Sequence, residues 1–203
     1  METERGYVNM GVNGKHGVTP ESPDNILLGA GTYHKGLKWN ATSKKWDGTI
    51  IGATSGGGKV SIAGEYIDLE LDGALVNVKG LTVKQGGTAS IEANFAEITG
   101  DNIQMSTNFK KGESDAEGYD MFVDKPNIED GDYVDGFGFI GKTANNKKDI
   151  IIIFESSLCK SAFELEPKNK EKSVLKVVMD AYAENAGDLD TLPVKIYYPK
   201  TTA

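Results

Sequence analysis

The sequence predicts an all-β fold, a β-sandwich or partial barrel with one short flanking helix. Three observations carry this. Segments with an apolar residue at every second position recur along the chain, as expected of strands with one buried face. The cleanest is TASIEANFAE (88–97), which puts Ala89, Ile91, Ala93 and Phe95 on one side and Ser90, Glu92 and Asn94 on the other. Glycine is abundant, 25 of 203 residues, against a usual share of ~7%, and it punctuates these segments. Only one stretch, 97–107, breaks the alternation and carries a helix-capping signal.

Residues 1–25 are polar and glycine-bearing and end in TPESPDN, which predicts a flexible N-terminal arm. Residues 26–203 form a single domain on length alone. ILLGAGTY (26–33) reads as a first strand interrupted by Gly29 and Gly31, and GLKWNATSKKWDG (36–48) as a loop or hairpin. In KVSIAGEYIDLEL the apolar parity flips: Val60, Ile62 and Tyr66 are even, Ile67, Leu69 and Leu71 odd. A flip inside one extended run implies a bulge or bend. In EITGDNIQMST, Thr99 or Asp101 can cap a short helix carrying Ile103 and Met105. Residues 108–131 are charged and predict an extended loop or a hairpin standing off the body. Two strands follow at 132–141 and 147–156, joined by TANNKK, and LCKSAFELEPK continues in extended form. VLKVVMDAYAEN fits either period; its strand neighbours favour a strand. LPVKIYYP (192–199) is the last strand, bringing the total to ten or so.

The formal net charge is −8. An acidic chain offers no basic footprint for gripping nucleic acid, although it could border one that must slide past. The single cysteine, Cys159, excludes an intrachain disulfide, fits a reducing cytoplasm, and reads as a small buried hydrophobe. The longest strongly apolar run, 150–154, is too short to span a bilayer, and the N-terminus has no apolar stretch of the signal-peptide kind.

Several motifs resemble catalytic or binding signatures and fail on context. IGATSGGGK (51–59) suggests a phosphate loop, but that loop needs glycine at Ala53 and Ser or Thr at Val60. Its glycines instead mark a turn or bend where backbones pass close. GFGFIG (136–141) matches G-x-G-x-x-G in letters, yet turn and strand follow it rather than the required helix. The plain reading is a glycine-rich strand crossing close to another backbone. DLELDG (68–73) begins like a calcium loop, but position three is Glu70 and position twelve is Lys79. His16 and His34 have no ligand partners at metal spacing. No metal, cofactor or catalytic constellation is expected, and the protein is read as not an enzyme. Asp68, Glu70 and Asp72 alternate with leucines and so predict an acidic strand face. That face is either simply solvated or turned toward an anion that it keeps moving.

The ordered set Gly52, Thr54, Gly56, Gly57, Glu65, Asp72, Gly73, Lys79 and Gly80 resembles the core phrase of bacteriophage tail tube proteins, the major tail proteins of long-tailed phages. TASIEANFAEITGDNI looks like the family's strand running into its single helix, and LLGAGTYHKG like its first core strand. The resemblance covers residues 26–108 and is weaker beyond them. It implies a structural virion protein that self-assembles into hexameric rings, with strands from six subunits joined into an inner barrel. The rings would stack into a tube around a tape-measure protein, between tail-tip initiator and tail terminator proteins, after assembly in the bacterial host cytoplasm. DNA would pass through during ejection without specific binding, and no membrane partner is implied. Asp68, Glu70 and Asp72 would then be candidates for the lumen face. Extended arms and the 108–131 loop would order on polymerisation.

A different function class also fits the composition. A monomeric β-sandwich could bind carbohydrate or another cell-surface ligand, with Trp39 and Trp46 as stacking platforms.

Overall fold

In the computed structural model, residues 17–19, 22–145, 149–167, 169–184 and 188–200 are described. Most of the predicted arm, including His16, lies outside them. Its last part does not: Ser22–Asn25 form one helical turn, α1, which is tied to the body. Asn145 donates to Asp24 (2.7 Å) and the Tyr198 hydroxyl to Asn25 (2.9 Å).

Among the described residues ten strands follow: β1 Leu27–Asn40, β2 Lys45–Ile50, β3 Thr54–Asp68, β4 Thr82–Phe95, β5 Lys110–Gly112, β6 Met121–Val123, β7 Val134–Thr143, β8 Asp149–Cys159, β9 Leu175–Tyr182 and β10 Val194–Tyr197. Helix α2, Gly100–Thr107, lies between β4 and β5. The main sheet runs β2-β1-β7-β8-β9-β4-β3, and every pairing is antiparallel. β10 shares with β9 the same partner, β8, pairing residues 151–154 while β9 pairs 156–159. β5 and β6 form the separate hairpin expected within 108–131.

The sheet bends over on itself, giving a sandwich that does not close into a barrel. Tyr33, Phe137, Phe139 and Phe154 from one half meet Ile91, Ala93, Phe95, Val177 and Met179 from the other. The β4 alternation explains its place: Ala89, Ile91, Ala93 and Phe95 are all buried while the residues between them are half-exposed. Ile51 N–H donates to Tyr33 O (3.0 Å) where the β2–β3 connection meets β1. Tyr33 packs edge-on against Phe95 at 5.9 Å, and its hydroxyl donates to Glu92 O (3.4 Å). Burial pushes the Tyr33 hydroxyl pKa upward, with the Glu92 charge adding to it. A second, smaller apolar cluster gathers Leu37, Ile151 and Ile153, with Trp46 and Ile140 against it.

The glycines do what close approach requires. Gly136 has φ +59°, and a Cβ there would stand 2.8 Å from Leu37 N. This is the backbone crossing expected of GFGFIG. Gly58 faces the Tyr33 hydroxyl and Glu92 O at a separation no side chain could share. The glycine run of 56–58 thus lies inside β3, at a register shift between Thr54 and Gly58, rather than in a turn between strands. β1 is continuous through Gly29 and Gly31, with a register shift against β7 between Leu28 and Thr32.

Thr99 is the helix cap: its hydroxyl accepts from Asn102 N–H at 3.2 Å. The helix ends at Asn108, which takes the left-handed conformation at φ 57° and donates through Nδ2 to Cys159 O (2.7 Å). Cys159 is buried, as its composition suggested. The strand expected to run through LCKSAFELEPK stops at Cys159. Ser161 takes over there, and its hydroxyl accepts from Val178 N–H at 3.1 Å.

Candidate functional site

The β3–β4 hairpin is the most unusual surface of the molecule. Its near half packs on the core through Val60 and Ile91. Its far half leaves the core, and every residue of β3 from Glu65 to Asp68 is exposed on both faces. The parity flip predicted in this run corresponds to a register shift. Glu65 pairs with Gly86 and Tyr66 with Lys84, so Gln85 of β4 is the extra residue.

Beyond Asp68 the chain forms a loop rather than more strand. Leu71, Asp72, Gly73 and Ala74 make a turn closed by Ala74 N–H to Leu71 O (3.1 Å), with Gly73 at φ +86°. Val78, Lys79, Gly80 and Leu81 make a second, closed by Leu81 N–H to Val78 O (3.1 Å), with Gly80 at φ +97°. Each turn needs a positive φ at its third position, which glycine supplies without a Cβ clash. Leu69 N–H donates to Leu81 O and ties the loop's base (3.0 Å).

This corrects the acidic strand face. Asp68 closes β3, while Glu70 and Asp72 lie in the loop, so the three carboxylates do not share one face of one strand. Asp68 is engaged locally, accepting from Asn77 Nδ2 (3.2 Å) and from the Thr82 hydroxyl. It therefore staples the two ends of the loop. Asn77 and Thr82 were not legible as its partners, because the contact needs the loop to return.

The motif residues fall at the hairpin's irregular points. Gly52 lies in the β2–β3 connection, and Thr54 opens β3. Gly56 and Gly57, at φ +87° and +76°, shape the first register shift. Glu65 stands at the second, and Gly73 and Gly80 form the two turns. The glycines among these residues set the hairpin's course.

Beside Glu70, Asp72, Asn77 and Lys79 the loop also exposes large apolar side chains. Leu75 is 98% exposed and Val76 77%, and Tyr66 and Leu71 are also mostly exposed. Single exposed apolar residues are ordinary, but a contiguous set on one projection marks an interaction surface. The stretch GALVNVKGL signalled this, since its apolar residues have no partner strand in which to alternate. The hairpin's outer edge is open too. Among the described residues β3 pairs only with β4, β2 only with β1, and β10 only with β8. Fifteen residues of β3 thus present an edge of backbone N–H and C=O groups.

A cleft of about 560 Å³ lies beside α2, lined by Ile51, Met105, Asn102 and Asp132 among others. Lys35 bridges to Asp101 at its side (3.1 Å), and Asn102 is engaged by donating to Glu97 O (3.0 Å). None of its described lining residues is Ser, Cys or His. In the neighbouring segment Lys125 reaches Asp132 (2.7 Å) and Glu129 (3.1 Å), and the bond to Asp132 raises its pKa. Among the described residues no three His, Cys, Asp or Glu side chains gather to hold a metal. No helix among them is long and apolar enough to cross a membrane.

Trp39 and Trp46 face each other across β1 and β2, edge to face at 5.2 Å and 63°. Trp46 is covered in turn by Tyr197, 4.7 Å away. His34 is buried: Nε2 lies 3.0 Å from the Thr32 hydroxyl, and Nδ1 has no partner among the described residues. Burial lowers its pKa from 6.5.

No protein-family model matches this chain, and no curated protein matches it.

Proposed function

We propose that this protein is a self-assembling structural subunit, whose identical copies join edge to edge and end to end into the tube of a phage tail. The observation that carries the reading is the β3–β4 hairpin: a long edge strand paired on one side only, ending in a loop that exposes Leu75 and Val76. Unpaired strand edges and exposed apolar tips are liabilities in a lone molecule. Repetition of the subunit around a ring covers both, as closure does in a barrel. The resemblance of residues 26–108 to tail tube proteins supplies the form of the assembly: hexameric rings stacked around a tape-measure protein, between tail-tip initiator and terminator proteins. In this reading the protein resides in the virion. The net charge of −8 suits a conduit through which DNA passes without being held.

The carbohydrate-binding alternative draws less support. A sugar stacks on a flat, open ring face, and here the two tryptophans meet edge to face with Tyr197 over Trp46.

The test is direct. Purified protein at rising concentration should form rings or hollow tubes under negative stain, with a matching rise in sedimentation coefficient. Particles that stay monomeric at every concentration, with tail initiator proteins present as well, would overturn the proposal.

A further inference from the structure

The chain contains four Asp–Gly steps: Asp47–Gly48, Asp72–Gly73, Asp130–Gly131 and Asp135–Gly136. Such steps isomerise when the glycine nitrogen can reach the aspartate side-chain carbon, because glycine has no side chain to block the approach. Three of the four are held. Asp47 lies in β2 and its carboxylate accepts from Asn40 Nδ2 (2.7 Å). Asp135–Gly136 lies in β7, with Asp135 paired to Ser156 and Gly136 against the backbone of Leu37. Asp130–Gly131 lies in a 3₁₀ turn (Asp130–Asp132) fixed by Asp132 N–H to Glu129 O (2.9 Å), Tyr133 N–H to Asp130 O (3.2 Å) and Glu129 N–H to the Asp132 carboxylate (2.7 Å).

The fourth step lacks these restraints, and it differs from the equally exposed Asp130–Gly131 in having no helical turn around it. Asp72 and Gly73 are exposed in the β3–β4 loop, outside any strand or helix. The Asp72 carboxylate and the Gly73 N–H make no hydrogen bond among the described residues. A Cβ would meet nothing within 4 Å at Gly73 or at Gly131, so the hydrogen bonds of the 3₁₀ turn, and not steric room, separate those two steps. One hydrogen bond, Ala74 N–H to Leu71 O, closes the turn.

We propose that Asp72 is a site of spontaneous conversion to isoaspartate, set apart from the other three steps by the fold. The Gly73 nitrogen loses its proton and attacks Asp72 Cγ. The new N–C bond forms as the carboxyl C–O bond breaks, and one water leaves, giving a succinimide. Water then adds at the Asp72 main-chain carbonyl carbon and breaks its bond to the Gly73 nitrogen. The chain now runs through Cβ and Cγ, longer by one methylene, with no net change in mass and no oxidant required. The extra atom enters the turn that presents Leu75 and Val76.

The test uses the whole folded protein, held dilute at neutral pH and 37 °C and sampled over weeks. Protein isoaspartyl methyltransferase with labelled S-adenosylmethionine marks each isoaspartate, and tryptic peptides locate it. The label should accumulate in Val60–Lys79, several-fold above Trp46–Lys59 and Gly112–Lys142, which carry the other three steps. In urea the label per Asp–Gly step should be alike, so Gly112–Lys142, with two steps, should carry about twice that of each other peptide. Asp72→Ala, an exposed change that leaves the fold intact, should abolish label in its peptide. Equal labelling of all three peptides in the folded chain would overturn the proposal. So would a silent Val60–Lys79 peptide, or label that survives Asp72→Ala.

Discussion

Replacing Leu75 and Val76 together by aspartate tests the assembly reading at its most exposed point. Leu75 is 98% exposed and Val76 77%, so the two contribute little to the folded monomer, and thermal unfolding of the dilute protein should change by no more than about a degree or two. In an assembly that buries them the loss is large. A fully buried Leu or Val side chain is worth about 1.5–3 kcal/mol, so the pair supplies about 3–5 kcal/mol per docked loop, allowing for the part of Val76 already covered. At about 1.4 kcal/mol per factor of ten, the critical concentration for tube formation should rise by about a hundredfold to several thousandfold. Desolvating the new carboxylates would add to this. Pelleting across a concentration series, with microscopy of the pellet, measures the shift. Tubes forming at the wild-type concentration would refute the argument that this loop docks. A melting point lowered by many degrees would refute the premise that the two side chains stand free.

Three further outcomes follow from the fold. Gly136→Ala should destabilise the domain by about 2 kcal/mol or more, because a left-handed non-glycine residue costs roughly 1–2 kcal/mol and the new Cβ meets Leu37 N at 2.8 Å; urea denaturation reads this, and an unchanged midpoint would contradict the close crossing of β1 and β7. Thr99→Ala should cost about 1 kcal/mol by removing the acceptor for Asn102 N–H, with faster amide exchange confined to the first turn of α2. His34 should make the protein acid-sensitive. Its folded pKa lies below the ordinary 6.5, so the unfolded chain binds the proton more readily. The stabilisation from a neutral His34 is complete above 6.5 and declines as pH falls from there toward the lowered folded value. His34→Gln should flatten that slope in melts taken across the range.

Much of this architecture was legible because local and global preferences agree. In β4 the alternation of Ala89, Ile91, Ala93 and Phe95 required one dry face, and the core supplies it. Thr99 and Asp101 were the two candidate caps for the helix, and the Thr99 hydroxyl is the one that caps it. The parity flip between Tyr66 and Ile67 fell beside the register shift at Glu65/Tyr66, but the inserted residue, Gln85, sits on the facing strand. The acidic face failed for a physical reason. Period two in Asp68, Glu70 and Asp72 is indistinguishable from a strand until Gly73 and Gly80 are seen as paired turns, which requires knowing that Leu69 returns to Leu81. The smaller apolar cluster beneath Trp46 was invisible too. It joins Leu37 to Ile151 and Ile153, residues far apart in the chain and without a shared period.

The pairing of β1 with β7 sets a timetable for the nascent chain. Tyr33 lies opposite Phe139 and His34 opposite Gly138, a separation of about a hundred residues, and contacts so distant in sequence form late. During synthesis at about 5–20 residues per second, the first strand emerges many seconds before its mate. The β3–β4 hairpin, whose partners are local, can zip up in that interval. The surface proposed to meet neighbours would then be ready before the subunit's own halves have closed on each other. At high expression, premature sticking between half-made chains is the hazard this order of events creates.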